Sequence, residues 1–112
     1  MSEMDKLVLY QKMYDLILYS FPIINRFPKS QKFVLGQQIQ NCMLGISALI
    51  VHANKLKNKR MKLYEIDIEL EKLRLLIRLS RDLGFMNTGK YGNHVQKIEE
   101  IGRLLGGMIK MY

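Results

Sequence analysis

Seven residues, Leu35, Ile39, Cys42, Ile46, Leu49, Ala53 and Leu56, follow one another at steps of three and four without a break. That is the period of an α-helix with one apolar side; a half-buried strand would alternate every second residue. A helix of this kind is stable only when its stripe is covered, so the rest of the chain must supply partners. Three further segments have helical character. Met4 to about Asn25 is dense in apolar and aromatic residues, with Pro22 set to kink it or close a final turn. Phe27-Pro28 stops it, because the residue before proline leaves the helical region. Ser30 is placed to cap the second helix, which runs to about Asn54. Lys55–Lys62 reads as the connection to a third helix over Leu63–Leu83, ended by Gly84. Its early acids and late arginines suit the helix dipole. Phe85–Asn93 reads as a turn-rich loop. The last helix starts near His94, with Val95, Ile98, Gly102, Leu105 and Ile109 on one face. Four helices with short links predict an all-α, antiparallel up-down four-helix bundle spanning 1–112 as one domain. A hydrophobic content of 48% excludes a disordered basic tail.

Charge is the second constraint. From Leu16 to Tyr64 there is no aspartate or glutamate, while eight basic residues are present. The whole chain has 18 basic and 10 acidic residues, a formal charge of +8. Helical proteins usually intersperse the two signs, so a one-sided field points to a polyanionic partner rather than to solubility alone. Lys29 and Lys32 stand at the start of the second helix. Lys55, Lys57, Lys59, Arg60 and Lys62 crowd the following connection, and Arg74, Arg78 and Arg81 form a row on the third helix. Arginine grips a pair of phosphate oxygens with its planar fork. No helix-turn-helix, zinc knuckle or aromatic pair for reading bases is visible. The expected contact is with RNA or DNA backbone, salt-sensitive and weakly sequence-selective.

The third helix carries two apolar stripes. Leu63, Ile66, Leu70, Leu73 and Ile77 form one, and Ile68, Leu75 and Leu79 lie roughly opposite. One side serves the bundle; the other needs a partner. The first helix is also apolar around most of its circumference. Surplus apolar surface on two helices predicts a homo-oligomer, with Ile68, Leu75 and Leu79 or the first helix at the contacts.

Catalytic chemistry is thin. His52 and His94 are far apart and lack a histidine or carboxylate one helical turn away, so no metal site is expected. The Glu-x-x-His pattern of di-iron bundles is missing, and Glu65, Asp67, Glu69 and Glu71 are spread around their helix. The glycines of the last helix make no phosphate loop; Gly102 and Gly106 are placed to let another helix approach. Neither a catalytic residue nor a cofactor is expected, and the chain is not read as an enzyme. Cys42, the single cysteine, excludes an internal disulfide and lies on a core stripe. With no signal peptide, and charged or polar residues interrupting the apolar runs, a cytoplasmic protein without a membrane partner is expected.

Several motifs resemble one family in order. Met61-Lys62-Leu63-Tyr64, Asp67, Leu70, Leu73-Arg74 and Ile77-Arg78-Leu79 look like the third helix of the accessory variability determinant (Avd) proteins of diversity-generating retroelements. Tyr19-Ser20-Phe21-Pro22 and Phe27-Pro28-Lys29 resemble that family's junction between helices one and two. Gly102-Arg103-Leu104-Leu105-Gly106-Gly107-Met108-Ile109 resembles its last-helix motif. The resemblance implies a non-catalytic four-helix bundle that assembles as a barrel-shaped homopentamer. It also implies binding to the element's reverse transcriptase and to nucleic acid, in support of mutagenic reverse transcription. By position, Arg74 and Arg78 would contact polymerase or nucleic acid. The bundle proteins encoded in 23S ribosomal RNA intervening sequences share much of the Phe-Pro-Lys region and stay open as an alternative. So does an interaction protein for an acidic partner.

Overall fold

The computed structural model describes residues 3–112, with side chains from Asp5 onward. The elements are α1 (Glu3–Ile24), a single turn α2 (Lys29–Lys32), α3 (Leu35–Lys55), α4 (Arg60–Asp82) and α5 (Thr88–Met111). No strand occurs among the described residues. The four long helices form an antiparallel square: α1 packs on α3 and α5, and α4 packs on the same two from the opposite corner. The bundle is 43 Å long and about half that in width.

The core is built from the predicted stripes. On α4, Leu63, Ile66, Leu70, Leu73 and Ile77 are all buried. On α3, Leu35, Ile39, Cys42, Ile46 and Ala53 are buried together with Met43 and Ile50, whereas Leu49 and Leu56 lie at its margin. α2–α3 is long and apolar enough to cross a bilayer, contrary to the sequence expectation. Its apolar side is nevertheless the centre of this core. On α5 the buried face is His94, Ile98, Ile101, Leu105 and Met108. Val95, Gly102 and Ile109 are only partly covered, a rotation from the predicted face.

Three boundaries differ from the sequence reading. Ser30 caps nothing: it sits inside α2, and the chain breaks at Phe33–Val34 before α3 begins. α4 starts at Arg60, so its first turn holds Arg60 and Lys62 and no acid. The unfavourable dipole is offset locally, since Lys62 pairs with Glu65 at 2.9 Å and Arg60 donates to the Tyr112 carbonyl at the end of α5. α5 starts six residues before His94, because the Asn87 side chain accepts from Lys90 N at 2.8 Å and caps the helix.

Candidate nucleic-acid interface

The antiparallel topology decides where the basic residues gather. The C-termini of α1 and α4 and the N-termini of α3 and α5 share one end, joined by the Phe27 and Phe85 rings 5.8 Å apart. Lys29, Lys32 and Arg81 are at this end, with Arg26 and Lys90. The opposite end carries Lys55, Lys57, Arg60 and Lys62. Arg74 and Arg78 lie between, on the side of α4 facing α5. The candidate residues are therefore divided between two poles, not gathered into one patch.

Lys59 leaves the set. Only 4% of it is exposed, and its ammonium donates to the carbonyls of Ala53, at 2.9 Å, and Leu56. Both carbonyls lie at the end of α3, where Ala53 O also accepts from Leu56 N at 3.1 Å, so the charge stabilises that terminus instead of meeting a ligand. A lysine in a run of five basic residues reads as surface; nothing local in the sequence marks it as the buried one.

The arginine row is partly self-neutralised. Arg74 pairs with Glu71, and its enclosed Nε lies 3.3 Å from Glu99 without hydrogen-bond alignment. Its guanidinium occupies the space above Gly102, where a Cβ would come within 2.7 Å of Nη2. Gly102 thus admits an arginine, not another helix, and Gly106 faces open space. Arg78 is well exposed and reaches Asp82 at 3.7 Å. Arg81 pairs with Asp82 at 2.8 Å and lies 4.2 Å over the Tyr91 ring. Between α4 and α5, Arg74 and Arg78 with Glu71 and Glu99 border a groove of about 320 Å³ whose walls include Leu75, Tyr91 and Val95.

Two buried polar groups have structural roles. The His94 Nδ1 lies 2.8 Å from the Lys90 carbonyl, which can only accept, so Nδ1 carries the proton. Nε2 is then the acceptor for the Ser20 hydroxyl, 2.9 Å away. Burial lowers the His94 pKa, with the Lys90 carbonyl acting against it and Lys97 adding to it. Ser20 and His94 resemble a nucleophile and its base, yet both are fully buried and no carboxylate accompanies them. The Cys42 thiol is pushed up to about 11 by burial and by neighbouring Glu69, which holds it protonated. Among the described residues no group of three His, Cys, Asp or Glu side chains could hold a metal ion.

The predicted second stripe is exposed: Ile68 is 68% and Leu75 65% accessible, and Leu79 is exposed beside them. Leu7, Tyr10, Tyr14 and Leu18 form a matching exposed row on α1. Because α1 and α4 occupy opposite corners of the square, these two apolar faces point to opposite sides.

A comparison with curated proteins returned no match. A family model described as bAvd-like matches residues 7–112, over the same helices that carry these faces and both basic poles, and the chain belongs to that bAvd-like family.

Proposed function

We propose that this protein is a non-catalytic accessory of a diversity-generating retroelement. In this reading it is a basic oligomeric scaffold that binds the element's reverse transcriptase together with RNA or DNA during mutagenic copying. The family match over residues 7–112 carries the reading. The formal charge of +8 and the two basic poles support a polyanionic partner. Opposite apolar faces support assembly, since one face meeting a different face on the next copy builds a head-to-tail ring when the rotation closes. The ring proposed is the family's pentamer.

Co-expression with the reverse transcriptase of the proposed retroelement, followed by capture on the tagged protein, tests the reading. Capture is expected, and its absence with the unmodified protein would overturn the proposal. Within it, Arg78 is the more available of the two arginine candidates, because Arg74 is held by Glu71 and Glu99. The double change Arg74→Ala, Arg78→Ala is expected to abolish capture while helicity is kept. Undiminished capture would move the contact to the Lys55–Lys62 pole.

A further inference from the structure

The segment between α1 and α3 does more than reverse the chain. Phe27 anchors it in the core against Phe85. Beneath it, α3 touches α1 so closely that a Cβ on Gly36 would lie 2.9 Å from an Ile24 methyl. Backbone bonds from Gln31 and Lys32 to the Pro28 carbonyl, at 2.8 and 2.9 Å, and from Val34 to the Gln31 carbonyl fasten the turn. On this frame Phe33 is 69% exposed, with Val34 exposed beside it. The ring belongs to neither of the apolar faces on α1 and α4. Arg26, Lys29 and Lys32 precede it within seven residues, and the Lys32 ammonium lies 6.0 Å from the ring centre. Among the described residues none of these three cations pairs with a carboxylate, and no acid occurs between Leu16 and Tyr64 to supply one.

We infer that this corner binds single-stranded nucleic acid, with Phe33 stacking on a base and Arg26, Lys29 and Lys32 holding the flanking phosphates. The inference rests on the polyanionic partner proposed above and adds the form of the strand and the residues that grip it. Within a duplex the faces of the bases are covered by their neighbours, so a projecting ring finds a partner only on an unstacked strand. Stacking accepts every base, and the adjacent charges supply a salt-dependent hold on the backbone. The fastened turn presents the ring in place, so little ordering is lost on binding.

The chain has no tryptophan, so Phe33→Trp installs a single indole at the proposed contact, excited at the red edge where the tyrosines do not absorb. Oligothymidylate and oligouridylate are expected to quench its emission, and a duplex of equal length is not; the two arms also rank DNA against RNA. Phe33→Ala and Phe33→Leu are both expected to weaken oligothymidylate binding about tenfold or more, without a change in melting temperature. Changing Lys29 and Lys32 to alanine should lower the slope of log affinity against log salt by about 0.7 for each lysine. Full affinity in Phe33→Leu, with loss only in Phe33→Ala, would reveal an apolar protein contact and overturn the inference. Strong binding without quenching would overturn it too while leaving the proposed function standing. If the unmodified protein bound neither oligonucleotide nor duplex, both readings would fall.

Discussion

At the scale of single residues, two glycines show how the same substitution can have opposite outcomes. A Cβ on Gly36 meets a branched methyl of Ile24 inside the core, with no flexible end to move aside. Gly36→Ala is expected to lower stability by about 1–3 kcal/mol in urea unfolding, the usual range for overpacking. A Cβ on Gly102 clashes with the flexible tip of Arg74 and meets a Leu70 methyl at an ordinary contact distance of 3.7 Å. Gly102→Ala releases that guanidinium from Glu99, an exposed-type pair contributing roughly 0–1 kcal/mol, and gains about 0.8–1 kcal/mol of helix propensity. Its unfolding midpoint should stay level or rise. His94 adds a pH dependence. Burial holds its folded pKa below the ordinary 6.5, so in the window between the two values the unfolded chain binds a proton that the folded chain does not. The contribution is complete above pH 6.5 and declines as pH falls toward the folded value. Melting curves at descending pH should show this decline in the unmodified protein and a flatter profile in His94→Gln.

At the scale of elements, Lys59 fastens the end of α3 to the start of α4. Lys59→Met keeps the apolar stem and removes the donor, so the Leu56 carbonyl loses its ammonium and the Ala53 carbonyl keeps only its bond from Leu56 N. A loss of about 1.5–3 kcal/mol is expected on urea unfolding, with nucleic-acid affinity unchanged because the ammonium is not on the surface. The helices themselves were legible, since the direction of a side chain along a helix is local information: every residue of the Leu63–Ile77 stripe is buried and Ile68, Leu75 and Leu79 are outside. Their ends were less so. Gly89, Gly92 and Asn93 read as loop, yet the Asn87 cap and the burial of His94 carry the helix through them. The basic run at Lys55–Lys62 hid the first turn of α4, whose repulsion is relieved by Glu65 nearby and by the Tyr112 carbonyl just past α5, a partner that only the fold brings close.

At the scale of the whole molecule, the exposed face of α4 should hold copies together. Leu75→Arg is expected to dissociate the oligomer in light scattering while the melting temperature of the bundle barely moves, because the side chain is outside the core. A monomeric unmodified protein at micromolar concentration would end the idea. The division of charge between two poles was within reach of the sequence: an up-down topology sends the turn after α1 and the turn after α3 to opposite ends. The spacings of three and four also placed Glu71 beside Arg74 and Asp82 beside Arg78; what the sequence could not show was that Glu99 on α5 reaches Arg74 as well, a contact made by helix packing. The separation of the poles also sets a ruler. A fully stacked strand advances roughly 3.4 Å per nucleotide and an unstacked one further, so spanning the 43 Å bundle takes at most about a dozen. Oligonucleotides shorter than that can fill the two poles independently, two per subunit, whereas longer ones can hold both and saturate at one. Stoichiometry, rather than affinity, should then change abruptly with strand length.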